Sequence, residues 1–111
     1  MRYIEIELDG KVKQLRYDFN AIADMEERMG KGVGAIFNEQ NVGFNTLRLF
    51  YWAGLKWKDK GITVERAGDM LQKEIENGSD IGELMEPVLK ALKLSGVMGK
   101  SQDEEETEGK N

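Results

Sequence analysis

The sequence predicts a mostly helical α+β domain: an N-terminal β-hairpin packed on a small bundle of four to five helices, followed by a disordered acidic tail. Three observations lead there. Apolar and charged residues alternate with period two between Tyr3 and Tyr17, around Asp9-Gly10. From Asn20 the apolar spacing switches to the helical period. Beyond Gly96 large apolar side chains nearly cease and carboxylates take over. At 111 residues the chain is one domain's worth of sequence, enough for a single core. Residues 1–96 form that domain and residues 97–111 the tail.

In the hairpin, Asp9-Gly10 supplies the turn, and a two-residue loop sets Ile4 opposite Leu15. Ile4, Ile6, Leu8, Leu15 and Tyr17 then share one face, while Glu5, Glu7, Val12, Gln14 and Arg16 turn to solvent. A lone hairpin is marginal in water, so the apolar face must lie on helices. The first helix carries Ile22, Met25 and Met29, with Asp18 or Asn20 as its cap and Gly30 as its stop. Glu26 and Glu27 fall on its solvated side. Lys31 to Gly34 reads as a flexible connection into a short turn holding Ile36 and Phe37, then a loop with Asn45 as N-cap.

The helix from about Thr46 to Lys56 is apolar nearly all round, which places it at the centre of the domain. Thr63 caps a further helix bearing Val64, Ala67, Met70, Leu71 and Ile75, and Asn77-Gly78 ends it. Asp80 and Glu83 form a capping-box pattern that opens the last helix. Pro87 inside that run predicts a kink or a split at Glu86, and Gly96 stops the pattern.

Composition removes much chemistry. The chain has no cysteine and no histidine, so thiolate catalysis, disulfides and the commonest general base and metal ligand are absent. A net charge of −5 argues against a dedicated nucleic-acid binder. The tail carries −3 of this, from Asp103, Glu104, Glu105, Glu106 and Glu108 against Lys100 and Lys110. Glu5 and Glu7 interrupt any signal peptide, and the run Leu49 to Leu55 is too short to span a bilayer.

Individual motifs fail their structural requirements. The Gly99-Lys100-Ser101 ending of a phosphate loop lacks its first glycine, because Leu94 stands there. Gly30, Gly32 and Gly34 miss the dinucleotide spacing at Ala35, and Asn77 to Asp80 fits no calcium loop. Lys56-Trp57-Lys58 could stack on a base, but it reads better as a helix end with cations near the dipole and Trp57 folded back. Four of the methionines, Met25, Met29, Met70 and Met85, sit at core-facing helical positions, although thioethers also suit adaptable partner surfaces. No catalytic residues, cofactor or metal are expected. The sequence does not read as an enzyme.

The order of features carries a resemblance. Leu15-Arg16-Tyr17-Asp18-Phe19-Asn20-Ala21-Ile22-Ala23-Asp24-Met25-Glu26-Glu27-Arg28-Met29-Gly30 follows the hairpin. Leu47-Arg48 and Trp52-Ala53-Gly54-Leu55 come next, then Ile62-Thr63-Val64-Glu65-Arg66-Ala67-Gly68-Asp69. Over about residues 3–96 this succession resembles the tail assembly chaperones of long-tailed bacteriophages and prophages. The resemblance implies a non-enzymatic protein of the bacterial host's cytoplasm. Its partners would be the tape-measure protein, kept soluble by binding, and the tail-tube protein, recruited during morphogenesis. The chaperone itself would be absent from the mature virion.

The resemblance also implies a longer frameshifted product, with Gly99-Lys100 or Glu108-Gly109-Lys110 as places for the slip. Partner-binding candidates are Phe37, Phe44, Phe50, Trp57, Met85 and Met98, apolar and near element ends, with core packing as the rival role for each. The alternatives are a small structural tail or head-completion protein of the virion, and an acidic regulatory or inhibitor protein.

Overall fold

Asp9 and Gly10 both take positive φ, 55° and 73°, as a two-residue hairpin turn demands. The turn fixes the register of β1 (Ile4–Leu8) against antiparallel β2 (Lys11–Leu15), with Ile4 opposite Leu15 as the alternation requires. In the computed structural model, which describes residues 2–39 and 42–97, this hairpin packs against five helices. They are α1 (Phe19–Met29), α2 (Val33–Glu39), α3 (Phe44–Leu55), α4 (Val64–Glu76) and α5 (Ile81–Ser95). The expected fold class is therefore observed. The acidic tail, apart from Val97, lies outside the described residues.

Helix α3 is the axis of the molecule because it offers no polar face. Every residue from Leu49 to Leu55 is buried, and the hairpin, α1, α4 and α5 all pack around it. Phe50 is fully buried and meets the ring of Tyr17 edge-on, with centroids 6.2 Å apart. Two buried hydroxyls tie neighbours to this axis. Tyr17 donates to the Phe50 carbonyl at 2.5 Å, and Tyr51 donates to the Leu84 carbonyl at 2.7 Å. Burial pushes both phenols well above their ordinary range, and for Tyr51 the nearby Glu74 carboxylate adds to the effect.

The hairpin approaches α3 closely at Gly54. A Cβ there would stand 2.6 Å from Leu15 Cδ1 and 2.9 Å from Tyr17 Cζ, so only glycine leaves room. The Arg16 amide uses the opening to donate to the Gly54 carbonyl at 2.9 Å. On the hairpin's second face, Gln14 and Arg16 are not simply solvated as the alternation suggests. Trp57 folds back, donates its indole N–H to the Gln14 carbonyl at 2.9 Å, and lies under the Arg16 guanidinium. The turn is anchored as well: Asp9 pairs with Lys73 and Arg66, each at 3.1 Å, and its amide donates to Glu74.

Several helix ends follow the sequence and some do not. Asp18 caps α1 by accepting from the Ala21 amide, Thr63 caps α4, and Asp80 with Glu83 forms the full capping box of α5. Gly30 and Gly96 close α1 and α5 in the left-handed conformation. The expected turn around Ile36 is instead the two-turn helix α2. Its start is supported by Glu26, which is half-buried rather than solvated and accepts from the Val33 amide at 2.7 Å.

Helix α3 begins at Phe44 with Gly43 in the cap position, so Asn45 is not the N-cap. Its Oδ1 accepts from Arg48 in the first turn instead. Pro87 does not split α5, which runs unbroken to Ser95. The carbonyl deprived of a donor is that of exposed Glu83, while Leu84, Val88, Ala91 and Leu92 keep one apolar stripe on α3. No helix among the described residues is long and apolar enough to cross a membrane.

Candidate functional site

Helices α4 and α5 each pack on α3 more closely than on each other, and the wedge between them stays open. The result is an apolar groove of about 430 Å³. Leu47 of α3, Leu71 of α4 and Leu84 of α5 are buried and form its floor. Ile81 lines the start of α5, where the Asp80 capping box fixes the direction in which the helix leaves the loop. Phe44, at 75% exposure, and Ile75, at 39%, stand on the rim. A phenyl ring that exposed gives up most of the stabilisation that burial would provide, about 1.5–3 kcal/mol.

One cation crosses this apolar surface. Arg48 lies over Gly68, with its Cδ 3.1 Å from where a Cβ at Gly68 would be. Its Nη2 donates to Asn45 Oδ1 at 2.8 Å, while its Nε is buried without a hydrogen-bond partner. A small residue at position 68 thus lets the guanidinium stem lie flat, and the stem extends the apolar lining. The arrangement suits side chains presented at helical spacing, with Arg48 available to a carboxylate or a carbonyl. Among the described residues, no three histidine, cysteine, aspartate or glutamate side chains gather where they could hold a metal ion.

The sequence candidates divide sharply. Phe44 sits on the groove. Phe50 and Met85 are buried in the core cluster, Phe50 against the Tyr17 ring, so of the two roles open to them the packing one is observed and neither side chain is presented to a partner. Trp57 is half-exposed at the opposite end of α3, where Arg16, Lys58 and Tyr3 surround its ring. Phe37 belongs to α2, its side chain outside the described set, and Met98 lies outside the described residues.

Ile75, Ile81 and Arg48 escaped sequence reasoning as site residues. Ile75 is the last member of the apolar stripe of α4, and a stripe that outruns its partner helix is the signal that could have pointed to it. Phe19, 81% exposed at the start of α1, was likewise not singled out. Comparison with protein-family models, with curated proteins and with solved structures finds no match to this chain.

Proposed function

We propose that this protein is a binding protein without catalytic chemistry, a tail assembly chaperone. It would hold the tape-measure protein soluble and help recruit tail-tube subunits in the cytoplasm of the bacterial host. The observation that carries this reading is the open α3–α4–α5 groove with Phe44 on its rim. An apolar recess with a mostly exposed phenyl ring on its rim suits the apolar side chains of a partner. The resemblance over residues 3–96 supplies the partner class, and the apolar lining of the groove is compatible with side chains presented at helical spacing.

Co-expression of the full chain with a tape-measure protein tests the reading. Recovery of a soluble complex is expected where the tape-measure protein alone is insoluble. Phe44→Asp and Ile75→Lys should abolish that recovery while the variants themselves stay folded. If the partner remains insoluble with the unaltered chain, the chaperone reading fails. If both variants still rescue it, the groove is not the binding site.

A further inference from the structure

At the end of α5 the chain emerges beside a cluster of cations and aromatic rings. Arg2 Nη1 donates to the Leu94 carbonyl in the last turn of α5, at 2.9 Å. The next residue, Tyr3, stacks on Trp57 with centroids 5.8 Å apart. Over the Trp57 ring stand the Arg16 guanidinium, at 5.3 Å, and the Lys58 ammonium, at 5.4 Å. Lys13 lines the same recess as Lys58. The carboxylates nearby are Asp18, paired with Arg16, Asp59, at 3.8 Å from Lys13, and Glu5 and Glu7, opposite Gln14 and Val12 on β1. Arg16 and Lys13 are already paired, but Arg2 and Lys58 have no carboxylate partner among the described residues, in a domain where residues 1–96 together carry −2 of the chain's net −5.

We propose that the acidic run at residues 103–108 docks on this tryptophan-centred face of its own chain, against Arg2, Arg16 and Lys58. Charge selects the site, because the run holds five carboxylates and no cation. Reach permits it: roughly 23 Å of extended chain separates Gly96 from Asp103, and the cluster begins at the last turn of α5. The α3–α4–α5 groove is the wrong chemistry for this segment, which has no large apolar side chain to place there. Exposed ion pairs are individually weak, but a short tether holds the run at millimolar effective concentration. The docked run covers Trp57, so a partner that uses this end of α3 must displace it. The inference is independent of what occupies the groove.

The absence of cysteine makes a clean test available. A nitroxide is attached to the full chain through Thr107→Cys, and line broadening is read on the Trp57 indole N–H. It is also read on that of Trp52, the other ring with cations over it, where equal or stronger broadening would overturn the proposal. The comparison chain carries the same label with Asp103→Asn, Glu104→Gln, Glu105→Gln, Glu106→Gln and Glu108→Gln. The Trp57 signal and the Arg16 and Lys58 amides should lose most of their intensity in the acidic chain at low salt. The loss should largely vanish in the neutralised chain, and also at about 1 M salt, where the screening length is about 3 Å. Equal broadening in both chains, or broadening centred on Phe44 and Ile75, overturns the proposal. So does equal broadening of an isotope-labelled chain by the nitroxide of a separate chain, because the run would then be docking on another copy.

Discussion

The two ends of α3 use the same kinds of residue in opposite ways. At its C-terminal end the hairpin locks on through Gly54, the Tyr17 hydroxyl and Trp57, and the space is filled. At its N-terminal end Phe44 is exposed and α4 and α5 diverge to leave the groove. Each end has a helical glycine under a neighbouring side chain, Gly54 near the end of α3 below Leu15 and Tyr17, and Gly68 of the adjoining α4 below Arg48. The difference lies in what must yield. At Gly54 the obstacle is a buried ring held by a hydrogen bond, whereas at Gly68 it is a long stem with a solvent-facing side. Closeness alone does not make a region structural; immobility of the neighbour does.

Substitutions can break that contrast. Phe50→Ala should be the most damaging, costing about 3–5 kcal/mol in urea unfolding, because the cavity opens where hairpin and α3 meet. Gly54→Ala comes next. Alanine gains about 1 kcal/mol of helix propensity, yet the collisions with Leu15 and Tyr17 should outweigh it and leave a net loss of about 1–3 kcal/mol. Gly68→Ala should have the other sign, stabilising by about 0.5 kcal/mol as Arg48 shifts aside. Two losses, or two gains, would show that the ends do not differ as described. Phe44→Asp should change stability by no more than about 0.5 kcal/mol, since the ring is mostly in solvent.

Protonation sharpens the comparison with smaller effects. Tyr17 and Tyr51 stay protonated when folded, while unfolded tyrosines ionise near pH 10. The folded state then holds more protons, so stability should fall as pH rises above about 10. The phenolate absorbance of these two residues should appear together with the loss of helical circular dichroism. Absorbance from them before unfolding would contradict their burial. Asp9 has the opposite sign: hydrogen bonds from Lys73, then Arg66, hold its carboxyl below the usual range. Its contribution is present above about pH 4 and lost as the pH falls through the lowered value. Asp9→Asn should therefore flatten the acid limb of urea midpoints plotted against pH, without altering the alkaline limb.

How much of this was legible depended on how locally each feature is encoded. The hairpin register, the caps at Asp18, Thr63 and Asp80, and the glycine stops at Gly30 and Gly96 depend on residues a few positions apart, and each could be read. Helix α2 could not, because its start is held by Glu26, a carboxylate from the preceding helix. Of the two outcomes Pro87 allows, the split does not occur, since burial of the stripe from Leu84 to Leu92 outweighs one lost hydrogen bond. Of the residues lining the candidate groove, Phe44 is the one the sequence offers, by its place near an element end. Phe50 was not separable from it: a helix apolar all round gives no face to choose by, and only the positions of the hairpin and α5 decide. Arg48 acquires its role from Gly68, twenty positions away in sequence, and no periodicity connects the two.

The indole of Trp57 has a consequence for the molecule's behaviour in crowded solution. A two-stranded sheet has two open margins, and either can seed strand-by-strand growth between copies. Along β2 the Gln14 carbonyl is taken by Trp57 and the Arg16 amide beyond it by Gly54, so the margin is interrupted where an added strand would need it. Along β1 the exposed Glu5 and Glu7 side chains place like charges where a second copy would align. A domain built this way can accumulate without templating its own aggregation.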